Sequence, residues 1–529
     1  MASKSLFKSL IGKLVPRATA VNEAGGAAYA LPPKAALAQY AATGCLSATF
    51  YAAAEDQLAA VLARCARPDV EPEFLARLAL YARTKGYMKD LPALLCAVLA
   101  VRGPGLLAEV FDRVIDDARM LRNFVQIVRS GVAGRKSLGT LPKRLVRAWL
   151  DARSDDQLFR ASVGNDPSLA DVIRMVHPRP ATPARAALYA YLVGRSYDAA
   201  ALPPLVAQFE AFKAALASGD SAAHAPDVPF QMLTALPLTG AHWAQIARTA
   251  PWQTTRMNLA TFARHGVFTD PALGKLVAER LRDAQAIARS RVFPYQLLVA
   301  YTQAGDGVPA EVREALQDAM EVATRNVPAV DGKVYVCPDV SGSMQSAVTG
   351  HRKGATSAVR CVDVAALVAA CVLRTNRSAE VLPFSDDVVP LGAPLNPRDS
   401  VMTNAKRLAG LPSGGTNCSA PLRHLNDRRA TGDLVIFVSD NESWVDRAAG
   451  RGTATMERWA QFKARNPRAK LVCIDLQPYG TVQATDAGGH GDVLNVGGFT
   501  DHVFDVVAKF ADGKLGANHW VGVVEAERI

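Results

Sequence analysis

The chain has 529 residues, half of them hydrophobic, so it is too long for one ordinary core and is expected to form two or three globular domains. Its longest apolar run, near residues 91–101, is well short of the roughly 20 residues that span a bilayer, which argues against a membrane protein. The net charge is +11, and residues 1–330 hold 38 basic against 28 acidic side chains. Nearly all the excess positive charge therefore belongs to the first part of the chain, and it predicts an anionic partner there.

Eight cysteines are spread along the chain without a C-x-x-C pair, and most lie inside apolar runs. This usage is typical of buried, reduced thiols, so we expect a cytoplasmic protein without disulfides or a zinc site.

Residues 1–20 are basic and mildly amphipathic, and we expect them to form an N-terminal arm. From residue 21 to about residue 330 the pattern is helical: Phe74, Leu78 and Tyr81, for example, lie on one face of a predicted helix over residues 73–85. Short helices recur every 20–40 residues and are broken by proline and glycine. This spacing predicts a HEAT-like array of stacked helix pairs, which can curve into an arc or ring.

Residues 121–150 carry seven basic side chains and no acidic one. A solvated helix face normally mixes both signs, so this stretch favours contact with nucleic acid. Further basic and amide side chains stand at predicted helix ends, where each alone is more often a capping or ion-pairing residue; together, on the part of the chain that carries nearly all the net positive charge, they favour nucleic-acid binding. The candidate nucleic-acid-binding residues are Arg122, Arg129, Arg135, Lys136, Lys143, Arg144, Arg147, Arg174, His177, Arg256, Asn258, Arg264, His265 and Arg291.

A set of hard oxygen ligands dominates the second part, residues 331–529. A predicted strand over residues 334–337 leads into Asp339, Ser341 and Ser343. Thr416 follows a glycine pair, and Asp440 follows a second apolar strand. Because loops after parallel strands gather at one sheet edge, these side chains can converge there and suit Mg²⁺ or Mn²⁺. The alternative for the first three alone is a polar strand-to-helix turn.

This five-residue pattern is that of a metal-ion-dependent adhesion site, so residues 331–529 resemble a von Willebrand factor A domain, a doubly wound α/β fold. The segments VNEAGG (residues 21–26), TFY (49–51), LADVIRMVHP (169–178), RMNL (256–259) and 290–298 resemble the TROVE module of the Ro autoantigen family. The order of the two parts and the SDNESW segment at residues 439–444 are also those of that family.

The resemblance implies a helical-repeat ring that binds the 3′ ends of single-stranded RNA in its hole and a small noncoding Y-type RNA on its basic outer rim. We found no Walker-type phosphate loop, no G-x-S-x-G and no H-E-x-x-H, so we expect no enzymatic activity. The preferred hypothesis is an RNA-binding scaffold in RNA quality control or processing. Its A domain would recruit a protein partner, such as an exoribonuclease, through the metal. The alternative is an A-domain cochaperone of a hexameric ATPase with no RNA role.

Overall fold

The structure of the protein is a computed structural model. It describes the chain except for residues 1–14, 44–45, 165–166, 221–222, 291, 293, 324–326, 328, 349–358, 447, 449, 487–490, 499 and 516–518, and except for the side chains of residues 295, 501 and 519. The chain divides into two compact units. The first contains residues up to 91, 293–295 and 323–528, and the second contains residues 92–292 and 296–322.

A five-stranded parallel sheet forms the centre of the first unit, with the strand order β4-β3-β5-β6-β8. The strands are β3 (Val334–Pro338), β4 (Glu380–Val381), β5 (Leu434–Ser439), β6 (Lys470–Asp475) and β8 (Val493–Gly497). Their apolar and β-branched side chains are almost all buried, as expected for a parallel sheet covered on both faces. The helices that follow β3 in this unit are Cys361–Thr375, Val401–Ala409, Ala420–Asp427, Ala454–Arg465, Asp501–Ala511 and His519–Glu525.

Alternation along the strands gives the sheet two apolar faces. Tyr335 and Phe437 belong to the core cluster that contains Trp459 on one face, whereas Ile436 and Phe504 line a small apolar cavity on the other. Helices therefore cover both faces, and the predicted doubly wound α/β fold is confirmed.

The N-terminal segment also belongs to this first unit. Strand β1 (Ala20–Val21) pairs antiparallel with β2 (Ala27–Ala30), which pairs with β7 (Thr481–Val482). The helix Pro33–Thr43 packs against β8, and the helices Ala54–Cys65 and Pro72–Thr84 follow. One limit between the units, at residues 322 and 323, lies near the boundary drawn from the sequence at about residue 330, whereas residues up to 91 belong to the first unit.

The second unit is helical, and its described residues contain no strand. Its short helices recur along the chain, as the sequence pattern predicts. Its helices and short 3₁₀ turns are Asp90–Arg102, Pro104–Val114, Ala118–Ser130, Thr140–Asp151, Asp155–Ala161, Leu169–Val176, Pro183–Val193, Ala199–Ala201, Pro204–Ala217, Phe230–Leu233, Gly240–Thr249, Trp252–Met257, Leu259–Arg264, Val267–Thr269, Pro271–Arg282, Ala284–Ser290, Pro294–Gln303 and Ala310–Ala323.

Several of these helices begin after a serine or threonine whose side chain caps the first turn. Ser154 and Ser168 each accept a hydrogen bond from the third residue of the following helix, and that residue's side chain binds back to the serine N–H. Thr182 caps the helix that starts with Pro183. Capping satisfies N–H groups that have no partner inside the helix, so the breaks between helices are fixed locally by sequence.

No helix in the described part of the chain is both long and apolar enough to cross a bilayer. The seven described cysteines are buried, as their places inside apolar runs predict; Cys45 lies outside the described residues.

Candidate metal site and nucleic-acid interface

The five predicted oxygen ligands are brought together at the carboxyl edge of the parallel sheet. Strands β3 and β5 are neighbours in register, and the Asp339 N–H donates to the Val438 carbonyl at 3.0 Å. Asp339 and Asp440 therefore follow adjacent strand ends. The Gly342 N–H donates to the Gly414 carbonyl at 2.9 Å, which holds the loop that carries Thr416 against the turn after β3.

The ligand side chains are buried, with at most 4% of any of them exposed. Asp339 Oδ1 accepts from the Ser341 N–H at 2.8 Å, and its Oδ2 accepts from the Ser439 hydroxyl at 2.6 Å. The Ser341 and Ser343 hydroxyl oxygens are 3.4 Å apart. Asp440 Oδ1 accepts from a backbone N–H, but its Oδ2 has no hydrogen-bond partner among the described residues.

A buried carboxylate oxygen without a partner is costly, and a bound cation would satisfy it. Two carboxylates with three hydroxyls are hard oxygen ligands, the set that Mg²⁺ or Mn²⁺ accepts with positions left open. The described part of the chain contains no group of three His, Cys, Asp or Glu side chains placed to hold a metal ion, so the hydroxyls are needed to complete this set. The residues present therefore fit a divalent cation.

The electrostatics of the edge also favour a cation. Burial raises the pKa of the Asp339 carboxyl to about 7, and the neighbouring Asp440 charge adds to the rise. Burial likewise raises the pKa of Asp440. The pKa of Glu442 rises to about 8 through burial and then the charge of Asp440. Burial and the neighbouring negative charges both disfavour the ionised form of these carboxyls. A divalent ion bound beside them would favour the ionised form.

Residues near the N-terminus pack on the loop that carries Asp440, a contact that the sequence did not reveal. The Asn22 side-chain amide donates to the Ser443 carbonyl at 2.8 Å, and the Ala24 N–H donates to Glu442 Oε2 at 3.2 Å. A Cβ atom on Gly26 would lie 1.9 Å from the Ser443 oxygen, so only glycine fits there. The VNEAGG segment, which the sequence offered only as a family landmark, thus packs on the loop that carries Asp440.

Tyr51 is a second neighbour of the site that the sequence did not assign to it. Its phenol interacts with the Ser343 side chain, and its pKa is raised to about 12, mainly by burial and then by the Asp440 charge. The Tyr51 ring contacts those of Phe50 and Tyr479 edge-on, with centroids 4.7 and 5.6 Å apart. The segment that contains residues 49–51 therefore lies beside the ligands.

Two of the candidate nucleic-acid-binding residues meet at the C-terminal end of the helix Leu169–Val176. Arg129 Nη1 lies 3.0 Å from the Met175 sulfur, and Arg147 Nε donates to the Val176 carbonyl at 2.5 Å. Both arginines are exposed. Side chains from two different helices thus place positive charge at one helix end.

Further basic side chains extend this group. Arg174 and His177 are exposed at the same helix end, where His177 adopts a left-handed backbone conformation. Arg174 pairs with Asp171 on the surface at 3.0 Å, an exposed pair of little energetic weight. Lys143 and Arg144 are on the helix Thr140–Asp151, one turn before Arg147. Arg129, Lys143, Arg144, Arg147, Arg174 and His177 are called the cation cluster from here on.

Other predicted residues lie inside the second unit. Arg122 is only 9% exposed and donates to the Val163 carbonyl at 2.6 Å. Arg256 is 8% exposed and donates to the Gln296 carbonyl at 2.8 Å. Arg135, which is half-buried, donates to two backbone carbonyls. These three guanidinium groups bind backbone oxygen atoms of their own unit.

The remaining candidates are not members of the cation cluster. Lys136 is exposed. Arg264 and His265 are also exposed, and the His265 ring stacks on Trp243 with centroids 4.5 Å apart and 10° between the planes. The Asn258 amide donates to a backbone carbonyl four residues earlier. Arg291 lies outside the described residues.

Comparison with known proteins agrees with this architecture. Residues 333–511 match the family model of the Ro60 vWA domain. The chain is 27% identical over 535 residues to RNA-binding protein RO60 of Deinococcus radiodurans, which covers 93% of this chain and 95% of that protein. It is 25% identical over 270 residues to RNA-binding protein RO60 of Caenorhabditis elegans, which covers 49% of this chain and 40% of that protein.

The fold is similar to the crystal structure of the Deinococcus radiodurans RO (RSR) protein, with a TM-score of 0.63 and 23% identity. This similarity covers 92% of this chain and all of the other. Residues 333–511 thus match the Ro60 vWA domain, and nearly the whole chain is similar to RNA-binding protein RO60 of Deinococcus radiodurans.

Proposed function

We propose that the protein is an RNA-binding scaffold of Ro ribonucleoprotein type. It binds 3′ ends of single-stranded RNA and a small noncoding Y-type RNA, and its A domain recruits a protein partner through a divalent metal. RNA binding is supported by the two relatives that carry the name RNA-binding protein RO60. The observation that carries the proposal is the cation cluster.

The cation cluster is available to phosphates. Within the described part of the chain, Lys143 and Arg144 have no carboxylate within ion-pair distance, and Arg147 donates only to a backbone carbonyl. The partial negative charge at a helix C-terminus accounts for the position of Arg147 but not for that of Lys143 or Arg144. Arg144 and Arg147 are exposed and Lys143 is half-buried on the same helix, and basic side chains without acidic partners are suited to neutralising an RNA backbone.

The metal site would serve recruitment rather than chemistry. Asp339, Ser341, Ser343, Thr416 and Asp440 would hold Mg²⁺ or Mn²⁺, and the bound ion would supply a positive centre that accepts a carboxylate from another protein. A coordination position that these side chains leave open can accept a carboxylate oxygen, the hard kind of ligand that these ions prefer. We therefore propose a scaffold and not an enzyme, acting with a partner such as an exoribonuclease in cytoplasmic RNA quality control or processing.

The test is filter binding of a single-stranded RNA with a free 3′ end at two salt concentrations, beside the same RNA with its 3′ end in a duplex. We expect the free end to bind more tightly and the affinity to fall steeply with salt, because each phosphate contact on a single strand changes log K by about 0.7 per log unit of salt. Asp339→Ala should leave this binding unchanged. Absence of salt-dependent RNA binding would refute the proposal and favour the cochaperone alternative.

A further inference from the structure

Large apolar side chains are exposed beside the metal site. Phe50 is 52% exposed and Trp444 is 51% exposed, and Val445 is also open to solvent. Phe50 comes from the N-terminal segment of the first unit, and the other two follow directly on the loop that carries Asp440. Single exposed apolar side chains are common, but apolar side chains that gather beside a site mark candidate interaction surfaces.

These side chains adjoin the metal ligands from two segments. Phe50 contacts the ring of Tyr51, whose phenol interacts with Ser343. The N–H groups of Trp444 and Val445 both donate to the Thr416 carbonyl, at 3.1 and 3.2 Å. One segment therefore meets the site at Ser343 and the other at Thr416.

The position of Trp444 is fixed by close packing. A Cβ atom on Gly415 would lie 3.0 Å from Trp444 Cζ2 and 2.6 Å from Val445 Cγ2. The glycine thus lets both side chains lie directly over the loop that carries Thr416. A rigid aromatic group loses little conformational entropy when a partner covers it, which suits a binding anchor.

We infer that Phe50, Trp444 and Val445 form a docking rim for a protein segment in which an acidic side chain is flanked by an apolar one. The carboxylate of that segment binds the cation, and its apolar neighbour packs on the rim. This inference rests on the proposed carboxylate capture by the metal site. It adds the specificity: the rim selects among acidic segments, because only those with an adjacent apolar side chain bury additional apolar surface.

The charges at the rim favour such a peptide over RNA. Asp386 is exposed and accepts from the Gly415 N–H at 3.0 Å. Asp446 accepts from the Ser443 hydroxyl at 2.7 Å and is half-buried. These carboxylates would repel the successive phosphates of a nucleic acid, whereas a single carboxylate on the cation is offset by the ion's own charge.

The experiment measures binding of short fluorescent peptides to the full-length protein in excess Mg²⁺ by fluorescence anisotropy. The peptides have the central sequences Leu-Asp-Leu, Ser-Asp-Ser and Leu-Asn-Leu between glycines. We expect Leu-Asp-Leu to bind about tenfold more tightly than Ser-Asp-Ser, the effect of burying roughly 50 Å² of apolar surface. Leu-Asn-Leu should not bind, since it lacks the charge.

The variants Phe50→Ser and Trp444→Ser should reduce the preference for Leu-Asp-Leu to about twofold or less. Tyr197→Ser removes an aromatic side chain of similar exposure in the second unit, so it should leave the preference unchanged. Occupancy of the metal site is followed separately by the electron paramagnetic resonance of Mn²⁺, which the rim variants should not alter.

Three outcomes would overturn the inference. Equal binding of both acidic peptides, with no effect of Phe50→Ser or Trp444→Ser, would remove the rim while leaving carboxylate capture intact. Failure of both acidic peptides to bind a protein that holds Mn²⁺ would instead overturn the proposed recruitment itself. Metal-dependent binding of a single-stranded RNA that Trp444→Ser weakens would show that the rim binds nucleic acid.

Discussion

Reversing the charge of three residues in the cation cluster tests the proposed RNA surface most directly. In the variant Lys143→Glu/Arg144→Glu/Arg147→Glu, three cations on one helix become anions. The only described hydrogen bond lost is that from Arg147 to the Val176 carbonyl. Such a bond contributes about 1 kcal/mol, so the variant should remain folded.

The size of the effect follows from counterion release. If each side chain neutralises one phosphate of a single strand, the three contacts contribute about 2 to the slope of log K against log salt. At roughly 0.1 M salt this corresponds to about a hundredfold in affinity, and near 1 M salt the contribution approaches zero. Repulsion by the introduced carboxylates makes the hundredfold loss a lower bound.

The assay is filter binding of one single-stranded RNA over a range of salt concentrations, with a melting curve to establish folding. The control variant Lys275→Glu/Arg468→Glu/Lys514→Glu changes the net charge by the same amount at exposed positions outside the cluster. If the control loses as much affinity as the cluster variant, only net charge matters and the reasoning is refuted. An unchanged salt slope in the cluster variant would refute it as well.

Three further predictions concern the first unit. Gly26→Ala should lower the free energy of unfolding by roughly 2–4 kcal/mol in urea titrations, because the added Cβ would meet the Ser443 carbonyl oxygen; Gly105→Ala, which has open space around it, is the control. Mg²⁺ should raise the melting temperature of the wild-type protein but not of Asp440→Asn, because an ion that binds only the folded state stabilises it. Burial lowers the pKa of His502, so the unfolded chain takes up this proton first, and stability should decline as the pH falls below about 6.5; His502→Gln should show a smaller decline in urea titrations at about pH 7.5 and about pH 5.5.

Each of these predictions can be contradicted. Equal stability of the two glycine variants would mean that Gly26 is not packed against the Ser443 carbonyl. An equal Mg²⁺ effect on Asp440→Asn would place the ion elsewhere. A decline with acid that is identical in wild-type protein and His502→Gln would assign it to other groups.

The helices and the clustering of the candidate ligands at one sheet edge could be predicted because their signals are local. Proline and capping residues fix helix starts within one turn, as at Thr182 and Pro183. The candidate ligand residues could be named from the sequence because each follows a strand end or a glycine pair. The end of each apolar strand can be recognised in the sequence. Because the carboxyl ends of parallel strands lie at one edge of a sheet, Asp339 and Asp440 could be predicted to lie close together.

The exposure of each arginine could not be predicted in the same way. Arg122 and Arg144 stand in the same basic stretch, yet the first is buried against a carbonyl 41 residues away and the second is exposed. The charge of the side chain and the spacing of basic residues are the same for both, so the local sequence does not distinguish them. Burial depends on which distant segment packs over a position, and that information is absent from the local pattern.

The helices, the strands of the parallel sheet and the five oxygen-bearing side chains at its carboxyl edge could be located from the sequence alone, because hydrophobic periodicity and strand ends depend on a few consecutive residues. Only the tertiary structure decided that Asn22 supports the loop at Ser443, 421 residues away, and that Phe50 and Trp444 border the same site. Contacts between segments so far apart form when the chain buries its apolar surface as a whole. Their partners are therefore selected by the three-dimensional packing and not by neighbours in the chain.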